Sequence, residues 1–200
     1  FSLHTKVVLT MTVLLLTVGT LLLHATQHGL TWVQSFFYSA VTRTSGFSIY
    51  DLGDFSNASL LCMVLLMFVG AAPGSTGGGV KVTTFAVIIL TIRSVAQGRD
   101  DCVIAEHHIE SKTVYRALTI IVLGALAAVG SAVVVFYNTS DAVSVIDAIF
   151  ESCSAFGTVG LSVGVTAQLN RGAKILYMLV MFMGRVGPVA FAMSLTAKPD

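Results

Sequence analysis

The chain has 200 residues, 55% hydrophobic and 10% charged, with a formal net charge of +1 at pH 7 and a mean hydropathy of +0.87. A water-soluble globule of this size needs more surface charge, so the composition points to the bilayer as solvent, and the lack of a basic run leaves no footprint for nucleic acid. The cysteines Cys62, Cys102 and Cys153 are odd in number and widely spaced; they imply no disulfide framework and read as small core residues.

Val7 to Leu23 is almost wholly apolar and, with flanking residues from Leu3, approaches the ~20 residues that a spanning helix requires. No small-residue cleavage pattern follows, so a signal peptide is not expected, and Phe1 in place of an initiator methionine leads us to expect a segment of a longer polypeptide. Trp32 to Val41 is apolar and aromatic but too short to span, which fits a re-entrant helix. Ala58 to Ala72 is apolar again, then runs into Pro73-Gly74-Ser75-Thr76-Gly77-Gly78-Gly79 before Val80 to Ile92 resumes the pattern. Each interior glycine costs a helix ~1 kcal/mol relative to alanine, so this stretch predicts two half-helices joined by an unwound loop. Irregular backbone at membrane depth must face protein or a watery cavity.

Arg93 to Lys112 is the clearly polar connection and divides the chain into units at 1–111 and 112–200. Beyond it Val114 to Tyr137 spans, Val145 to Phe156 is a second short segment, and Ile175 to Leu195 is a long one interrupted by Gly184-Arg185-Val186-Gly187-Pro188. The order long, short, long thus occurs twice. An offset of 114 residues lays Gly46-Phe47-Ser48 over Gly160-Leu161-Ser162 and Met67-Phe68-Val69-Gly70 over Met181-Phe182-Met183-Gly184 without a gap. It also pairs Phe36 with Phe150 and Thr44 with Thr158, and indicates duplication. Lys6, Arg93, Arg99, Lys112, Arg116 and Lys198 on one side, against Arg43, Arg171 and Lys174 on the other, make the 93–116 connection cytoplasmic. Both short segments then enter from outside, where Asp51, Asp54, Asp141 and Asp147 would raise the local cation concentration.

Thr44-Ser45-Gly46-Phe47 and Thr158-Val159-Gly160-Leu161 each follow a short segment directly. A filter for a dehydrated potassium ion replaces water with closely spaced carbonyl oxygens, as the TVGYG loop does in potassium channels, and glycine permits the backbone angles this requires. Together with Gly74-Ser75-Thr76-Gly77-Gly78-Gly79-Val80-Lys81 and Gly184-Arg185-Val186-Gly187-Pro188, these motifs resemble the third and fourth repeats of the Trk/Ktr potassium transporters over essentially the whole chain. The family often has alanine where Ser45 stands. The resemblance implies an all-α membrane protein with two helix–pore-loop–helix repeats, half of a four-repeat subunit. Thr44, Ser45, Gly46, Thr158, Val159 and Gly160 would line a potassium filter; Gly74, Ser75, Thr76, Gly77, Gly78, Gly79 and Arg185 would gate it from below. It further implies K+ as the transported ion, Na+ as an activator, no organic cofactor, a multi-pass location in the bacterial plasma membrane, a homodimer and a cytosolic nucleotide-binding ring as regulator.

Other readings compete for the same residues. Val80 separates Gly79 from Lys81, so the glycine loop does not match a phosphate-binding G-x-x-x-x-G-K-[ST] pattern, whereas Gly70-x-x-x-Gly74 could pack membrane helices closely. Arg185 is a membrane-depth guanidinium, which costs at least ~2.5 kcal/mol on insertion scales; its register over Ala71 leads us to expect its donors on the carbonyls of the loop. Glu151 serves equally as a hydrogen-bond anchor for the filter backbone or as an ion ligand. Cys102, Glu106, His107, His108 and Glu110 could be assembled into a metal site, although a polar connection collects such residues anyway. No nucleophile, base pair or cofactor motif supports an enzyme. A less selective Na+/K+ pathway and a non-conducting helical scaffold remain the alternative functions.

Overall fold

A computed structural model describes residues 3–98, 103–104, 107–108, 110–139 and 143–196. Its first helix, α1 (Leu3–Thr26), buries only a narrow stripe through Leu15, Gly19 and Leu23, while Leu9, Val13, Leu14, Val18, Leu21 and Leu22 face outward. The stripe needs a small residue at its centre: a Cβ on Gly19 would lie 2.4 Å from Ser39 Oγ and 2.9 Å from a Leu66 methyl. α2 (Trp32–Val41) starts from a capping box in which Thr31 accepts from the Gln34 N–H and the Gln34 side chain accepts from the Thr31 N–H. At ten residues it is about 15 Å long, half of a ~30 Å hydrocarbon core.

α3 (Asn57–Phe68) and α4 (Val82–Ala96) are the expected half-helices. The chain leaves α3 four residues earlier than the apolar run suggests, because Val69 turns extended and pairs in parallel with Val80. Gly70 N–H donates to the Val80 carbonyl (2.8 Å), Val80 N–H to Phe68 (3.2 Å) and Val82 N–H to Ala71 (3.3 Å). These bonds pinch residues 70–79 into a loop with its ends tied together.

After α4 the polar connection holds a short antiparallel pair, β1 (Val103–Ile104) with β2 (His107–His108). α5 (Ser111–Asn138) then inverts the order of a water-soluble helix. Its buried face is small (Ala117, Gly124, Ala128, Ser131, Ala132), and its exposed face carries Leu118, Val122, Leu126, Val129 and Val133. Lipid tails are as apolar as leucine, so membrane helices gain by close approach, and small residues permit it. Of the described helices, only His4–Thr26 and Ser111–Asn138 are individually long and apolar enough to cross a membrane.

α6 (Val145–Gly157) repeats the capping box with Ser144 and Asp147. α7 (Val165–Gln168) is a single turn. α8 (Arg171–Val186), capped by Asn170 through the Ala173 N–H (2.8 Å), ends where Gly187 takes φ +100°, and α9 (Pro188–Thr196) follows. α1 packs on α2 and α3 as α5 packs on α6 and α8, and α3 joins the two units by packing against α6. The N-caps Thr31 and Ser144 lie 113 residues apart, one fewer than the filter motifs. Counted from the caps, Phe37 rather than Phe36 therefore corresponds to Phe150, and the second unit has one more residue between its cap and Thr158 than the first has between its cap and Thr44.

Candidate ion-filter and gating-loop site

Each short helix is followed by a threonine with left-handed backbone, the two described non-glycine residues with positive φ: Thr158 (φ +52°) is the C-cap of α6, and Thr44 (φ +69°) lies two residues beyond Thr42, the right-handed C-cap of α2. Gly46 (φ +73°) and Gly160 (φ +89°) repeat that sign two residues later, with Ser45 and Val159 outside the positive-φ set between them. Left-handed backbone is unfavourable for an L-residue with a side chain, and its recurrence at both threonines gives the two segments one backbone pattern. The segments also touch. A Cβ on Gly46 would come 2.9 Å from the Val159 carbonyl, and one on Gly160 would come 3.4 Å from Gly46 Cα.

The second segment is tied from behind. Val159 N–H donates to the Ser154 carbonyl (2.9 Å), and Ser154 Oγ donates to the Leu161 carbonyl (2.6 Å). Glu151, 4% exposed, accepts from Ser162 Oγ, Val163 N–H, Val165 N–H and Thr166 Oγ1. These bonds make it a hydrogen-bond anchor, but of residues 162–166 just past Gly160 rather than of the Thr158–Gly160 backbone itself. A cavity of about 430 Å³ lies beside these groups, lined by Glu151, Thr158, Gly160 and Tyr177.

The glycine loop lies against both threonines. A Cβ on Gly77 would be 3.0 Å from Thr44 Oγ1, one on Gly78 would be 2.6 Å from Thr158 Oγ1, and Gly78 N–H donates to that hydroxyl at 2.9 Å. One on Gly70 would be 2.0 Å from the Gly78 carbonyl. Gly70 and Gly74 lie beyond the end of α3, and a Cβ on Gly74 would meet open space, so this pair does not form a helix-packing stripe. Gly74 (φ +82°) instead follows Pro73 in a turn closed by Ser75 N–H on the Ala72 carbonyl (3.2 Å).

Two further bonds seat the loop. Lys81 Nζ donates to the Gly77 carbonyl, and Gly79 N–H donates to the Gly184 carbonyl (3.2 Å). In a continuous helix that carbonyl would receive the N–H of residue 188, but Pro188 has none. Gly184 itself fits because a Cβ there would lie 1.9 Å from the Phe156 carbonyl. Arg185 is exposed and makes no hydrogen bond among the described residues; it stands near enough to Lys81 for the two cations to repel. The expected guanidinium clasp is therefore replaced by the Lys81 ammonium and the residue-184 main chain, neither of which the sequence pattern distinguished. Arg43, directly before Thr44, keeps a buried Nε with no partner among the described residues.

Asp51 and Asp147 are occupied in capping Gly53 and Ser144. Asp54 is exposed on a 340 Å³ recess that also includes Asp51, and Asp141 lies outside the described residues. Cys102 and Glu106 of the candidate metal set also lie outside them, and the described residues contain no metal-competent group of three His, Cys, Asp or Glu.

A family model described as "TrkH: Cation transport protein" matches residues 2–198. The Ktr system potassium uptake protein B of Vibrio alginolyticus is 36% identical over 98% of this chain and 45% of its own length. The potassium/sodium uptake protein NtpJ of Enterococcus hirae is 35% identical over 100% of this chain and 47% of its own. The chain thus spans about half the length of the curated relatives it matches. The crystal structure of the potassium transporter TrkH from Vibrio parahaemolyticus shares the fold, with a TM-score of 0.73 at 20% identity over 98% of this chain and 44% of that one. With helical membrane architecture, a family match over nearly its full length and relatives above 30% identity, the chain belongs to the TrkH family of cation transport proteins.

Proposed function

We propose that this chain supplies the third and fourth repeats of a potassium uptake subunit in the bacterial plasma membrane, with Thr44-Ser45-Gly46 and Thr158-Val159-Gly160 as two of four filter strands. The observation that carries this reading is the paired alternation of backbone sign at 44/46 and 158/160 in segments that abut one another. Such alternation lets neighbouring carbonyls face one side, the arrangement a dehydrated cation needs. The glycine loop, seated under both threonines, acts as the gate; Arg185 contributes a positive field at the same level. Conduction is passive, down the ion gradient and the membrane potential. A homodimer and a cytosolic nucleotide-binding ring are the expected assembly, with Na+ as an activating ion. A second reading, a less selective Na+/K+ pathway, draws support from the name of the E. hirae relative.

Full-length subunits carrying Gly46→Ser or Gly160→Ser test the filter. Both force a side chain into left-handed backbone, and Gly46→Ser also drives a Cβ to 2.9 Å from the Val159 carbonyl. Potassium preference or uptake should fall in both and remain in Ile149→Val. Unchanged preference and uptake in both glycine variants would remove these segments from the filter.

A further inference from the structure

Counted from their N-caps, Tyr38 and Glu151 occupy the same position, seven residues after Thr31 and after Ser144. Both side chains are buried, at 0% and 4% exposure. Both reach the segment by which the chain leaves its filter. Tyr38 Oη accepts from Ile49 N–H (3.2 Å) and Tyr50 N–H (2.9 Å) and lies 3.3 Å from Ser48 Oγ. Glu151 takes its four donors from Ser162, Val163, Val165 and Thr166. Ser48 and Ser162 are themselves equivalent in the repeat. One duplicated position therefore carries a neutral phenol in the first unit and a carboxylate in the second, with two targets in common, the Ser48/Ser162 hydroxyl and the Ile49/Val163 N–H.

We propose that Tyr38 and Glu151 are equivalent positioning residues that hold the two filter exits from behind, and that the carboxylate makes the second strand the more rigid of the pair. This inference rests on the filter assignment above. The donor set argues against Glu151 as an ion ligand, because Oε1 already accepts from three N–H and O–H groups and Oε2 accepts from a fourth, which turns the carboxylate toward residues 162–166. A role confined to holding helices together is equally disfavoured, since every described hydrogen-bond partner belongs to residues 162–166 and none to α5 or α8. Ser154, on the same helix, adds its bond to the Leu161 carbonyl. The first unit has Ala40 where the filter register places Ser154 and so lacks that tie.

The test uses the full-length subunit in proteoliposomes, reading K+ over Na+ preference, half-saturating K+ concentration, maximal rate and the amount of folded protein. Glu151→Gln keeps the shape but exchanges charge-assisted bonds for neutral ones, a difference that amounts to about a fivefold effect. We expect K+ preference to fall about fivefold at normal abundance, and Tyr38→Phe, which removes the phenolic acceptor, to lower it in the same direction. Thr166→Val, which leaves the carboxylate and three of its donors, should give a smaller loss and serves where Glu151→Gln fails to fold. Wild-type preference and half-saturation in folded Glu151→Gln, or in Thr166→Val and Tyr38→Phe together, would overturn the proposal. If Gly46→Ser and Gly160→Ser are silent as well, the filter assignment fails; if those glycine variants lose preference while the anchor variants do not, only the anchoring role fails.

Discussion

Gly78→Ala probes the seat of the loop with little other disturbance. The added Cβ would stand 2.6 Å from Thr158 Oγ1, 2.7 Å from Thr158 Cγ2 and 3.0 Å from the Gly184 carbonyl, beside a 2.9 Å bond from the same residue's N–H. Thr158 is fixed in left-handed backbone and Gly184 is pressed on the Phe156 carbonyl, so the loop is the part free to yield. Overpacking of this kind costs about 1–3 kcal/mol, a shift of about 5- to 150-fold between seated and unseated loop. Flux per folded subunit, measured as K+ entry into proteoliposomes, should rise by a factor in that range until the unseated form dominates. Gly130→Ala is the control, because a Cβ there meets nothing within 4 Å on the exposed side of α5. Unchanged or reduced flux in folded Gly78→Ala would refute the obstructing loop; lost K+ preference without added flux would refute it too, by showing that the filter yielded instead.

Lys81→Met removes the ammonium donor from the Gly77 carbonyl, a charged bond of about 1.5–3 kcal/mol, and should raise flux with greater mobility of a spin label at Ser75. Arg185→Ala should also raise flux, by removing a positive field from the ion path. Label mobility should stay at the wild-type level, because the guanidinium makes no described hydrogen bond to the loop, and Arg185→Lys should keep most of the barrier. The pair Gly187→Ala, Pro188→Ala lets α8 run on and draws the Gly184 carbonyl into the helix; amide exchange at Gly79 should accelerate and flux should rise.

Much of this was legible in the sequence because the membrane restricts the answers. The short helix Trp32–Val41 has the bounds its apolar run predicts, and the half-helices at α3 and α4 follow from glycine density alone. What remained hidden depends on volume and on single bonds. Gly46, Gly77 and Gly78 look alike in sequence, yet Gly46 serves the sign of φ as well as a close contact, whereas Gly77 and Gly78 have ordinary φ and serve close approach. The early end of α3 depends on the pairing of Val69 with Val80 across the loop, a contact that hydropathy cannot signal. Phe36 over Phe150 was a similar loss, since the one-residue difference between cap and filter registers becomes visible only when the capping boxes are located.

The glycine loop is held by bonds that its most visible charge does not make. Arg185 is the conspicuous charge, but the loop hangs on a backbone carbonyl made available by Pro188 and on an ammonium four residues from its target, Gly77. The ammonium lies within the repulsive reach of Arg185, so the cation that holds the loop is opposed by a second cation. A seat built this way is weaker than an arginine clasp would be, and it reports on the break between α8 and α9: displacing residue 184 removes the acceptor of Gly79 and relaxes the wall behind Phe156 together. Motion of the last helix would therefore reach both the glycine loop of the first unit and the Phe156–Thr158 end of α6 through one residue, Gly184.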